Sequence, residues 1–310
     1  MSRRGALMMG ALVSDAASLG VHWIYDVARI GEIRDRHGST AFVPYDPAHF
    51  ADVPAYDAHP GRPFGAQSQY GETLMLAMTH MAQTGRFDVS GYSAAYSAHF
   101  GAGGPYNGYI DRPTRGTLAN LTAETSPSGV DDDQLPALST LPALVGYPSA
   151  DQMRAVQVTN VNSEAEIYAS VVAHLFSSVT DGTDVHDALR AAANTAPDPA
   201  KSLLLGALDS DITDSVAYGE ITKRACHLNM GVPLAFHILT HAPTYRDAIE
   251  ANTSAGGDSA GRSLLIGAVM GAVHGVGTPT GVPVEWLLNL ADARTTWARC
   301  AEVARLPTEG

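Results

Sequence analysis

Four short stretches of this chain bring acids, glycines and aromatic rings together in ways that could do chemistry. In residues 10–26 (GALVSDAASLGVHWIYD), Asp15 stands among small apolar residues, and His22, Trp23, Tyr25 and Asp26 cluster just after it. An acid on an apolar helix must be paired, hydrogen-bonded or used, because burying an unpaired charge is costly. The plain alternative is a structural aspartate bonded to a neighbouring helix terminus. Residues 68–73 (SQYGET) open a helix at about Glu72, where an acid in the first turn suits the helix dipole whether or not it has another task. In residues 108–120 (GYIDRPTRGTLAN), Asp111 precedes Pro113 as an N-cap would, and beyond it Asp131, Asp132 and Asp133 must be solvated or cation-bound. In residues 255–263 (AGGDSAGRS), Gly256 and Gly257 permit a tight turn and close backbone approach. The helix that follows would offer free amides to an anion, while Asp258 and Ser259 offer hard oxygens to a cation.

The elements that must position these residues are helices. Apolar residues recur at helical spacing in the first segment (Leu7, Ala11, Leu12, Ala16) and predict further helices over residues 71–84, 164–179, 184–193, 198–208 with Asp198 as cap, and 232–239. Residues 258–274 carry Gly261, Gly267 and Gly271, a pattern that lets a helix approach its neighbours closely and marks the central helix of a bundle. Residues 283–302 predict a final helix pair. No stretch sustains the alternation of a strand. Residues 37–68, 101–105 and 125–134 read as loops, and long ordered loops in a helical protein are where binding sites usually lie. No linker, composition break or repeat divides the chain, so one all-α domain over residues 1–310, a compact orthogonal bundle, is expected.

Composition narrows the partners. Lys plus Arg number 19 against 32 Asp plus Glu, a formal net charge of −13 over 310 residues. Such a surface repels nucleic acid and anionic membrane, so neither is expected as a partner through bulk charge. Asp15 interrupts the apolar N-terminal stretch, which is therefore not read as a signal peptide, and no uncharged apolar run is long enough for a membrane span. Cys226 and Cys300 are too few for a disulfide framework and read as reduced thiols, which fits a cytoplasmic protein.

Taken in order, the four segments resemble the ADP-ribosylglycohydrolase family. Members open with a GALxGDAxG helix, matched here by residues 10–20 with Asp15 in the aspartate position, and close with GGDTDT entering a small-residue helix, matched by Gly256, Gly257, Asp258 and Ser259. The match is closer still to the branch containing jellyfish J1-crystallin and selenoprotein J, which carries HWIYD, a YGD/E-T helix start, GYIDxxTRGTLxN and AGGDSAxR. All four stand here, at residues 22–26, 70–73, 108–120 and 255–262. The resemblance covers most of the chain and implies the family's helical fold.

The departures concern the metal. The family's T/S-D-D-T motif supplies ligands to a pair of divalent ions. Its positions hold Tyr70, Gly71, Glu72 and Thr73 here, and the second aspartate of GGDTDT falls on Ala260. The resemblance then leaves Glu72, Thr73, Asp258 and Ser259 as metal ligands, for one magnesium ion at most or for none. It implies a hydrolase of a glycosidic bond to a ribose-like group, N- or O-ribosyl and including ADP-ribosyl, acting on a small molecule such as an ADP-ribose or nucleoside-like substrate. Glu72, Asp258 and Asp15 are the expected catalytic groups. His22, Trp23, Tyr70, Asp111, Asp132 and Arg262 are the expected substrate contacts, Arg262 as a bidentate partner for phosphate or carboxylate. The alternative is a binding or structural protein without catalysis, as the crystallin relative suggests. The oligomeric state is not legible in the sequence.

Overall fold

The computed structural model describes residues 1–308, and every described element with regular hydrogen bonding is a helix. The α-helices run α1 Arg3–Ser18, α2 Val27–His37, α3 Gln69–Thr84, α4 Val89–Phe100, α5 Arg112–Thr122, α6 Ser149–Val156, α7 Ser163–Asp181 and α8 Val185–Thr195. They continue with α9 Ala200–Leu208, α10 Ser215–Thr222, α11 Leu228–His241, α12 Tyr245–Ala255, α13 Ser259–His274, α14 Val284–Leu288 and α15 Ala293–Val303. Four isolated bridges between loops are the only β pairings among the described residues. No described helix is long and apolar enough to cross a membrane.

The centre is built by α1 and α13, both buried almost all round. Glycine makes this contact feasible. A methyl group on Gly10 would fall on the Gly267 carbonyl oxygen, one on Gly267 would strike Ser14 and Gly10, and one on Gly271 would strike the Ala6 carbonyl. Residue numbers on α1 rise as those on α13 fall, so the two helices are antiparallel. Ser14 Oγ donates to the Ser263 carbonyl at 2.8 Å, and the Tyr245 hydroxyl donates to the Gly10 carbonyl at 2.6 Å. The antiparallel packing has a functional consequence: it brings the C-terminal end of α1, and the His22–Trp23 turn after it, to the N-terminus of α13 where Asp258 sits.

One hydrophobic core joins the helices other than α2, with Met78, Tyr92, Phe176, Phe236 and Leu265 among its buried members. A smaller cluster of Val21, Ile24, Ile30, Ile33 and Val43 packs α2 against the His22 turn. Two expected details are corrected. The helix placed at about Glu72 begins at Gln69, because Ser68 caps it and accepts from the Tyr70 and Gly71 amides. Asp198 does not cap α9, which follows Pro199 without a side-chain cap; its carboxylate accepts instead from the Ser202 hydroxyl at 2.6 Å.

Candidate functional site

Asp258 stands at the N-cap of α13, and the two glycines before it shape its surroundings. Gly256 and Gly257 have φ of 76° and 66°, the left-handed region that glycine enters without strain. A side chain on Gly257 would collide with the Arg224 backbone. The turn is clasped to the other end of the chain: Trp23 N donates to the Gly257 carbonyl at 2.8 Å, and Gly257 N to the Ile24 carbonyl at 2.7 Å. Asp258 Oδ1 accepts from the Gly261 amide at 2.9 Å and lies 2.9 Å from His22 Nε2. Asp258 Oδ2 and the neighbouring Ser259 Oγ are fully buried and have no hydrogen-bond partner within the protein. Buried oxygens are rarely left so, and each such case calls for an explanation.

Behind Asp258 lies a pair of imidazoles. His22 Nδ1 is 2.7 Å from His59 Nε2, and burial, followed by the nearby His22 and Arg62 charges, pushes the His59 pKa well below the usual histidine value. His22 is buried, with one ring nitrogen on Asp258 and the other on His59. Trp23 stacks on His22 at 4.4 Å and meets Tyr56 and Tyr109 edge-on at 5.5 and 5.2 Å. Its φ is 64°, a conformation that costs a bulky residue on the order of 1 kcal/mol or more and is held by the Gly257 clasp. Trp23 is thus mostly buried, and the exposed member of this aromatic group is Tyr56.

Tyr70 and Asp111 complete the cluster. Burial first, then the charges of Asp258 and Asp111, pushes the Tyr70 hydroxyl well above the usual phenol range, so both carboxylates act on this buried ring. Asp111 caps α5, its Oδ1 accepting from the Thr114 amide at 2.8 Å, while its buried Oδ2 has no partner. Burial raises the pKa of Asp111, although the neighbouring Gln69 and Thr114 polar groups oppose the shift. The half-buried Cys226 thiol lies in the field of Asp258, Asp132 and Asp133; burial chiefly, with Asp258, pushes it up to about 12. Sequence reading missed Cys226, His59 and Tyr109 as members of this group.

Other expected site residues are committed elsewhere. Asp15 is fully buried, and both oxygens accept from Ser68, the amide at 2.7 Å and the hydroxyl at 2.5 Å. It clasps α1 to the start of α3, with both carboxylate oxygens engaged by Ser68. Burial pushes its pKa to about 7 despite those hydrogen bonds. Arg262 is fully buried and donates to Asn252 Oδ1 at 2.8 Å and to the Gly256 carbonyl at 2.5 Å. Burial lowers its pKa to about 10, and its contact with the Gly256 carbonyl braces the glycine turn. Asp132 is buried against Arg112, at 2.7 Å, and accepts from the Gln134 amide at 3.0 Å, so it too is bound within the protein rather than open to substrate.

The four residues expected to hold a divalent ion do not form a coordination shell. Glu72 Oε1 is 2.9 Å from Arg62 and Oε2 is 3.2 Å from His99, and the Thr73 hydroxyl donates to the Gln69 carbonyl at 2.9 Å. Burial alone would raise the Glu72 pKa, but His99 and Arg62 outweigh it and hold the carboxyl below its usual range. Of the four, only Asp258 and Ser259 keep an unpartnered oxygen each, while the Glu72 carboxylate and Thr73 hydroxyl are committed to partners within the protein. No group of three or more His, Cys, Asp or Glu side chains among the described residues is arranged to hold a metal. The residues present therefore do not fit the ion. A separate open groove of about 510 Å³, lined by residues such as Tyr147, Gln152, Met153 and His174, shares no residue with the Asp258 cluster and has no carboxylate in its wall. Size favours the groove, but the unpartnered buried carboxylates favour the cluster.

Comparison with known proteins places the arrangement. The ADP-ribosylglycohydrolase family model matches residues 2–309. The chain belongs to the ADP-ribosylglycohydrolase family. Among curated proteins this chain is similar to crystallin J1A of Tripedalia cystophora, 24% identical over 92% of this chain and 91% of that protein. It is also similar to crystallin J1B of the same organism, 24% identical over 98% and 97% of the two chains. Among solved structures, a chain of an ADP-ribosylglycohydrolase-related protein complex superposes with a TM-score of 0.74 at 17% identity, covering 98% of each chain. That likeness shows the shared all-α fold.

Proposed function

We propose that the Asp258 cluster holds a ribosyl group and that the protein hydrolyses an N- or O-glycosidic bond to it in an ADP-ribosylated or nucleoside-like substrate. The observation that carries this reading is the pair of buried, unpartnered carboxylate oxygens, Asp258 Oδ2 and Asp111 Oδ2, from two carboxylates whose charges both act on the buried Tyr70 hydroxyl. Breaking such a bond builds positive charge on the sugar, so one carboxylate must face that charge while another group manages the proton of the leaving group or of water. Asp258, fixed through Oδ1 by His22 and the Gly261 amide, suits the first task. Asp111, whose pKa is raised by burial, suits the second. Tyr56 and Tyr109 supply aromatic surface on which a planar base could stack.

A second reading is supported by a specific observation: the curated relatives bear the name crystallin over nearly the whole chain. In that reading the cluster binds a ligand, or none, without turnover. A thermal-shift screen with ADP-ribose and nucleosides, followed by incubation with peptides carrying N- and O-linked ADP-ribose, separates the two. Release of ADP-ribose that is lost in Asp111→Asn supports hydrolysis. Stabilisation without release favours the binding protein, and no response to any of these compounds counts against the ribosyl assignment.

A further inference from the structure

Glu72 is the acid of the SQYGET segment, and the protein supplies its own cation there. Arg62 reaches it from the loop before α3. The side chains are 11% and 25% exposed, so this is a largely buried pair rather than a surface one. The same Arg62 nitrogen donates to the Gln67 carbonyl at 2.5 Å, and the guanidinium lies 5.1 Å over the Tyr106 ring. Three contacts therefore fix its position. The Arg62 charge also reaches the buried Asp15, favouring its ionised form while Glu72 opposes it. Two carboxylates in one poorly hydrated region need a positive charge near them. A guanidinium is permanently charged, planar and more weakly hydrated than an ammonium, so it suits such a place. At the second motif, one Asp258 oxygen, Oδ1, is tied to His22 and the Gly261 amide, which leaves only Oδ2 free. Gly71 and Ala260 supply no ligand at all.

We propose that Arg62 occupies the electrostatic place of a divalent ion, and that the site assembles and binds its ligand without magnesium or manganese. This holds whether the cluster cleaves its ligand or only binds it. The decisive experiment uses the full-length protein, stripped with chelator, and calorimetric titration with MgCl2 and MnCl2 alone, with thermal unfolding followed in parallel. The wild type should show no binding tighter than about 1 mM and no change of midpoint beyond about 1 °C at millimolar metal.

Arg62→Ala removes the permanent charge beside Glu72 and Asp15, leaving Glu72 with His99 alone. Its midpoint should fall by about 5 °C or more, as expected when one partner of a buried pair is removed, and manganese should recover part of the loss. Arg62→Lys, which keeps the charge, should remain indifferent to metal. Should alanine prevent folding, Arg62→Gln, neutral and long enough to reach Glu72, is read in the same way. Submillimolar manganese binding by the wild type that Glu72→Gln abolishes would overturn the proposal. So would a folded Arg62→Ala that ignores manganese.

Discussion

Asp15→Asn gives the sharpest test of how the central acids are held. Asp15 is fully buried, and its pKa stands at about 7 against an ordinary 3.8, raised by burial and only partly lowered by the Ser68 hydrogen bonds. A carboxyl whose folded pKa lies above its unfolded value binds a proton more tightly in the native state. It therefore weakens the fold when ionised, above pH 7, and this penalty is relieved as pH falls through 7 toward 4. One pKa unit corresponds to about 1.4 kcal/mol, so between pH 8 and pH 5 the wild type should gain about 2–3 kcal/mol relative to Asp15→Asn. The comparison must be a difference, because His59, with its lowered pKa, acts in the opposite direction as pH falls and is common to both proteins. Asparagine keeps the size of the side chain and can still accept from Ser68. Urea unfolding of both proteins at pH 8, 6.5 and 5 provides the free energies. A stability difference that stays constant across this range, or that moves in favour of asparagine as pH falls, would refute the assignment of Asp15 as a buried carboxyl with a raised pKa.

Other outcomes follow from the same structure. Gly267→Ala should destabilise the protein by about 1–3 kcal/mol or more, because its methyl group meets Ser14 and the Gly10 carbonyl on α1; chemical denaturation reads this, and an unchanged midpoint would contradict the close α1–α13 packing. Cys226 should be alkylated by iodoacetamide at pH 8 at least about tenfold more slowly than a free thiol, since its pKa is pushed up to about 12 and the thiolate is the nucleophile; rapid labelling of the folded protein would count against its place beside Asp258. His22→Ala should weaken ADP-ribose binding by about tenfold while leaving the helical spectrum intact, as changes to residues that orient a binding group do. Equal affinity would mean that His22 does not position Asp258.

The two central helices were the most legible part of the fold. In α1 and α13 the spacing of glycine, alanine and leucine states both helical period and close approach, and the structure places those glycines against each other's backbones. The helices that periodicity did not reveal, α2, α4, α6, α10 and α12, are short. Only Ile30 and Ile33 of α2 are buried, and α4 hides tyrosines among serines and alanines, so neither presents a strong apolar face in sequence. Several of them are instead set by aspartate or threonine caps at Asp26, Asp88, Asp214 and Thr244.

The site was legible in its members but not in their roles. The charges of Asp258 and Asp111, from two of the spaced motifs, both act on Tyr70 of a third. Arg262 had the look of an anion hook because nothing in the sequence shows that the glycine turn before it aims a carbonyl at its guanidinium. His59 and Arg62 went unremarked because each acts across the chain, His59 on His22 and Arg62 on Glu72, from a loop whose composition marked it as a place for binding without saying which residues matter.

The central claim is that the unpartnered oxygens of Asp258 and Asp111 form a ribosyl site. The most direct measurement is calorimetric titration of ADP-ribose into the wild type, Asp258→Asn and Asp111→Asn in metal-free buffer. Asparagine is as good a helix cap as aspartate, so the variants should remain folded. The account predicts saturable binding by the wild type and affinity at least about tenfold weaker in each variant. Saturable binding of equal strength in all three proteins, or no binding to a folded wild type, would contradict it.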